Sequence, residues 1–313
     1  MTERHFTAGG NGWPKLPSLQ EWQDTCTTLH MWTQVAGKIR LGLSPDVNHC
    51  WGSTLYVSTR GLTTSPIPYG SFTFAIDFDF IAHALRISTS EGAERSFALQ
   101  PMTVAEFYRK TMQAFGELGI EVKIFTRPVE VEVAIPFEKD EQHSSYDAYA
   151  VTRFWHALVQ ADRVFKDFRA RFIGKVSPVH FFWGGFDLAV TRFSGRTAPK
   201  HPGGAPNVAV RIMEEAYSHE VASAGFWSGT GLGETAFYAY AYPVPEGFNK
   251  YPVQPEAVFY HDKLGLFILP YEAVRTAENP DGTLLSFLQT TYEAAATLAN
   301  WDRRALERNI MHT

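Results

Sequence analysis

Between Leu19 and Val35 the apolar residues Trp22, Cys26, Leu29, Trp32 and Val35 recur at steps of three and four, one face of a 3.6-residue repeat. Ser18 stands at the N-cap position, so a helix is predicted from Leu19. Similar patterns predict helices over 104–118, closed by Gly119, over 149–172 with charge on one face, and over 284–298. Segments rich in β-formers predict strands at 51–59, 72–80, 84–88, 179–191, 236–242 and 257–269. Residues 121–132 read as extended, with Pro128 arguing for an edge or a break, and the acidic stretch 138–141 as a loop.

The order of elements repeats. An α+β fold is expected, in which two similar helix–strands–helix halves, 1–145 and 146–313, form a largely antiparallel sheet with helices packed on one face. WGSTLYVSTR (51–60) aligns with WGGFDLAVTR (183–192), and Gly37-Lys38 follows the first helix as Gly174-Lys175 follows the second. FDFIAHALRI from Phe78 aligns with FYHDKLGLFI from Phe259. These matches predict an internal duplication. Arg60 and Phe78 are 18 positions apart and Arg192 and Phe259 are 67 apart, so the second copy carries an insertion of about 49 residues, around 193–245. Long connections in compact domains often carry function.

Composition narrows the class. The 313 residues are 45% hydrophobic and 19% charged, which suits a large core and argues against disorder. Aromatic residues are 14% of the chain, enough to fill a core and line a small-molecule pocket. The net charge is −5 and Arg and Lys are scattered, so nucleic acid and membrane are not expected partners. Residues 1–14 lack a signal-like apolar run, and no segment reaches the ~20 apolar residues of a membrane helix. With only Cys26 and Cys50, free thiols and a cytoplasmic location are expected.

HFFWGGFDLAVTRFSGR (180–196) and AYSHEVASAGFWSG (216–229) carry a resemblance. So do WPKLPSLQEWQDTCTTLHMWTQVAGKIRL, RGLTTSPIPYG, HSSYDAYAV and FLQTTYEAAATLANWDR. Together they span nearly the whole chain. The sequence resembles an uncharacterised group of bacterial and fungal proteins, the domain-of-unknown-function family numbered five-nine-nine-six. The usual pattern has a Trp where Cys50 stands and a Pro where Ser228 stands, which argues against a strict role for either side chain. The resemblance implies no activity.

Candidate chemistry concentrates in the second half. His180 opens a strand, and Gly184-Gly185 marks a bulge or a close backbone approach. Asp187 interrupts an apolar strand and needs a partner: Arg192, Arg196, a ligand or a metal. His219 and Glu220 are adjacent beside Tyr217, a pattern that suits a base with its orienter or two metal ligands. HExxH fails, because Ser223 stands where the second His belongs. The Gly-rich stretch 224–231 suits a lid or a backbone anion cradle, and it is not a P-loop. No nucleotide-binding motif occurs, and His30 reads as a core residue.

The leading expectation is an enzyme for a small molecule, with one divalent metal as an option. His180, His219 and Glu220 would be bases or metal ligands, Asp187 an orienter and Arg192 an anion anchor. Trp183, Tyr217 and Trp227 would line the pocket, against strand 183–192 and beneath the insertion. A non-catalytic small-ligand-binding protein and a scaffold or interaction subunit are the alternatives.

Overall fold

A computed structural model describes residues 12–308. The first half runs α1 (Leu19–Leu43), β1 (Tyr56–Val57), β2 (Gly61–Thr63), β3 (Ile67–Tyr69), β4 (Phe72–Asp79), β5 (Ala84–Thr89), β6 (Glu94–Ala98) and α2 (Val104–Glu117). The second runs α3 (Ala148–Ala170), β7 (His180–Phe182), β8 (Asp187–Thr197), α4 (Val210–Ala216), β9 (His219–Trp227), β10 (Ala236–Tyr242), β11 (Phe259–His261), β12 (Leu266–Pro270), α5 (Tyr271–Arg275), α6 (Pro280–Leu298) and α7 (Arg303–Leu306).

The fold is α+β with two antiparallel sheets rather than one. The first has the order β1-β2-β4-β5-β6, with β3 also on β4; the second has the order β11-β12-β10-β9-β8-β7. Among the described residues they meet at one bridge, where Leu55 and Phe181 exchange hydrogen bonds of 2.9 and 2.7 Å. Local backbone explains the break. Asn48–Ser53 coils as 3-10 turns, with His49 and Cys50 left-handed at φ 58° and 61°. Non-glycine residues seldom adopt that conformation, and it cannot continue a strand. Only Tyr56 and Val57 of the expected strand 51–59 therefore pair as one. The two aligned tryptophans also differ locally, Trp51 lying in the 3-10 turns and Trp183 in the tight turn after β7.

The inserted stretch is structural as well as covering. It supplies β9 and β10, the centre of the second sheet, before and after its Gly-rich loop. Residues 121–132 cross the surface without a strand.

Period-two alternation gives the second sheet two unlike faces. On β8, Leu188, Val190 and Arg192 face the helices, while Asp187, Ala189, Thr191 and Phe193 face the other way. On β10, Phe237, Ala239 and Ala241 are buried, and Tyr238 and Tyr240 stand on the opposite face. Phe226 and Phe237 pack against Phe154 and Phe165 of α3. Each fully buried Phe stabilises the fold by about 1.5–3 kcal/mol.

Helix α1 begins with a capping box in which Glu21 accepts from the Ser18 backbone at 2.8 Å. It runs two turns beyond Val35, and those turns carry Gly37 and Lys38 toward the tyrosine face.

Candidate functional site

The tyrosine face of the second sheet floors a cavity of about 750 Å³. It lies against β8 and β9, and residues 205–217 cover one side. The first half supplies the remaining wall, with Lys38, the 3-10 turns around His49 and the segment 125–130. The site is thus shared between the halves.

Its central feature is a pair of carboxyl groups. A Cβ on Gly185 would lie 2.8 Å from Asp187 Oδ1 and 3.4 Å from Glu130 Oε2, and one on Gly184 would lie 2.2 Å from Glu130 Oε1. Any side chain at 184 would displace Glu130, so the Gly-Gly pair leaves room for this carboxyl group. Burial pushes Asp187 up to about 6, against the Tyr238 hydroxyl that donates to it. Enclosure, with the Asp187 charge behind it, pushes Glu130 up to about 7. Glu130 is itself exposed, and its carboxyl group is crowded on one side by the Gly184-Gly185 backbone.

Two residues one helical turn apart on α1 fix the pair from behind. Gln34 Nε2 donates to Val129 O at 2.8 Å, and Val129 N donates back to Gln34 Oε1 at 2.9 Å. His30 Nε2 lies 2.8 Å from Gly184 O. Burial pushes His30 down to about 4, so the ring is neutral and donates there. Pro206 O accepts from Glu130 N at 2.8 Å, holding that residue at φ 57°. Left-handed backbone at a non-glycine costs about 1–3 kcal/mol and persists where surrounding structure enforces it.

Tyr238 reaches Asp187 by lying across β9 at Gly225, where a Cβ would meet its ring at 2.3 Å. Thr191 Oγ1 and Ser223 Oγ are 2.8 Å apart, and the Tyr217 and Tyr240 hydroxyls 2.9 Å apart. Burial holds Tyr217 and Tyr238 well above the ordinary phenol range, so both keep their protons at neutral pH. Trp183, whose indole N–H donates to Ser53 O at 2.7 Å, forms one wall; Trp227 stands edge-on to Tyr238 at 5.3 Å.

His49 presents its ring from the strained 3-10 turns. Its Nε2 accepts from Lys175 Nζ at 2.6 Å, and its Nδ1 donates to Ala216 O at 3.1 Å. Burial first, then the neighbouring Lys175 charge, lowers its pKa, so the imidazole is neutral.

The sequence-predicted set divides. Asp187, Trp183, Tyr217 and Trp227 line the cavity. His180, His219, Glu220 and Arg192 do not. His180 is buried behind Trp51 and Tyr56, at 6.0 and 6.2 Å between ring centroids, and burial pushes it down to about 3. His219 backs His49 at 5.9 Å. Glu220 follows it on the same strand, so alternation sends it to the other face, where it pairs with Arg196 at 2.7 Å. His219 and Glu220 therefore cannot share a metal, and among the described residues no three or more His, Cys, Asp or Glu side chains group to hold one.

Arg192 also faces the helices. Its guanidinium lies 3.5 Å from the Phe168 ring centroid and 4.3 Å from that of Tyr292, a core position rather than an anion anchor. Asp187's partner is Tyr238, not Arg192 or Arg196. Cys26 is buried and Cys50 half-buried, both free.

Glu130 and Gln34 were not singled out in the sequence, and Lys38 was noted only as part of the repeated Gly-Lys pair. The Gly184-Gly185 pair announced a close approach, but nothing local indicated that Glu130 made it.

No helix among the described residues is long and apolar enough to cross a membrane. Neither a curated protein nor a solved structure matches the chain. The model of the family of unknown function DUF5996 matches residues 13–308, and the chain belongs to that family.

Proposed function

We propose that this protein is an enzyme that transforms a small molecule by general acid–base catalysis, with Glu130 and Asp187 as the proton-exchanging pair. The observation that carries the reading is the convergence of these two carboxyl groups beside Gly185, on the wall of a largely apolar cavity. Neighbouring carboxyl groups cannot both ionise freely, and enclosure separates their behaviour further. Near neutral pH Asp187, supported by the Tyr238 hydroxyl, serves as the base, while protonated Glu130 serves as the acid. His30, Gln34 and Tyr238 are positioning residues, because they hold the pair without facing one another across the substrate volume.

Untargeted mass spectrometry of a small-molecule extract, incubated with wild type, E130Q or D187N, tests this. A compound consumed by wild type should persist with both variants, provided each keeps its melting temperature. Its rate should fall away on either side of pH 6 to 7. Undiminished turnover by the two variants would exclude the pair as the catalytic groups.

A further inference from the structure

Lys38 is an unpaired cation in this cavity. Its side chain is only 7% exposed, and its Nζ lies over two ring faces, 5.5 Å from the Phe125 centroid and 5.8 Å from that of Trp183. Among the described residues no carboxylate lies within ion-pair distance of it, and it makes no hydrogen bond. Burial alone lowers its pKa, to about 8, with no neighbouring anion to offset that effect. It is still mainly protonated at neutral pH. A buried charge without a partner is costly, and aromatic faces compensate only part of that cost.

The clamp is built rather than incidental. Gly37, immediately before Lys38, has Trp183 against it so closely that a Cβ would lie 2.2 Å from the indole. The hydrogen bond from Trp183 to Ser53 O fixes the indole in turn. Lys38 is the sole Lys or Arg of the cavity lining, and the other full charges there belong to Glu130 and Asp187. The Asp187 carboxylate, and Glu130 whenever it is ionised, repel an anion, so a negative ligand group has one place to go.

We infer that the cavity binds a monoanionic organic acid, with its carboxylate on Lys38 and a flat apolar body between the aromatic walls. A single ammonium matches a single negative charge; a phosphate dianion calls for several converging donors, such as arginine forks. With the carboxylate at Lys38, the far end of the ligand is directed to the Glu130–Asp187 pair. Only this last orientation rests on the proposed function; the binding does not.

Isothermal titration calorimetry with 2-naphthoate, benzoate and their neutral amides tests the inference on the whole protein. Wild type should prefer each acid to its amide by roughly tenfold or more. K38M, similar in length and apolar, should lose that preference while keeping its melting temperature, and K38R should retain most of it. The E130Q/D187N double variant should bind the acids at least as tightly as wild type, because the repelling carboxyl groups are gone. Amides binding as well as acids, K38M binding the acids as wild type does, or no binding of any probe at millimolar concentration would overturn the inference. Failure of the catalytic reading would leave the Lys38-dependent preference intact, so the two outcomes are separable.

Discussion

Glu130 and Asp187, 57 positions apart in the chain, bring their carboxyl oxygens to either side of the point where a Gly185 side chain would stand. One comes from an irregular segment of the first half and the other from the first residue of β8. Their coupling makes several measurable demands on the protein.

The first concerns pH. Both groups are raised above the ordinary carboxylate range, Asp187 to about 6 and Glu130 to about 7. A raised carboxyl contributes stability that is full below its unfolded pKa and is lost as pH rises through the folded one. The pair's share of stability is therefore expected to fall from about pH 4 to pH 7, against the opposite trend from the buried neutral His30 and His180, so the melting temperature of wild type relative to E130Q should decrease across that range. Carboxyl carbon NMR should give a Glu130 midpoint near 7 that moves down in D187N, where the Asp187 charge is gone. A Glu130 midpoint in the ordinary range in wild type would refute the coupling.

Tyr238→Phe removes the donor to Asp187 without changing ring size. Because that hydrogen bond favours the carboxylate, the Asp187 midpoint should rise. Hydrogen bonds to charged groups contribute about 1.5–3 kcal/mol, so a loss of roughly that size is expected in chemical denaturation above pH 7. A loss equal at pH 4 and pH 8 would show that the bond does not depend on the charge of Asp187.

Gly37→Ala keeps the helical backbone and would ordinarily favour a helix. Here the added methyl would lie 2.2 Å from the Trp183 indole, which its bond to Ser53 holds in place. Overpacking of this kind costs about 1–3 kcal/mol. A lower melting temperature and a changed Trp183 indole N–H resonance are expected; a stabilised protein with that resonance unmoved would contradict the packing described.

Arg192→Ala separates a core role from a ligand role. The buried guanidinium packs on Phe168 and Tyr292, so truncation should destabilise by about 3 kcal/mol. Binding of 2-naphthoate at a temperature where the variant is folded should match wild type. A specific loss of binding with unchanged stability would return Arg192 to the site.

Much of this protein is set by local sequence. The three- and four-residue spacing in α1 and α3 and the β-rich stretches of β4, β5 and β10 specify those elements, because helix and strand periods are read over a few neighbouring residues. Asp187 could be singled out because a carboxylate inside an apolar strand demands a partner. The rest needed the tertiary structure. β9 is poor in strong strand formers, and its place between β8 and β10 makes it a strand. That assignment turns adjacent His219 and Glu220 to opposite faces and dissolves the metal set. Glu130, in an extended segment without local pattern, joins the site only because Gln34 and His30 on α1 draw the Val129 and Gly184 backbones together. Periodicity reports which way a side chain points within its own element; which charges meet across a cavity depends on chain crossings between residues 57 to 154 positions apart, and no local window contains them.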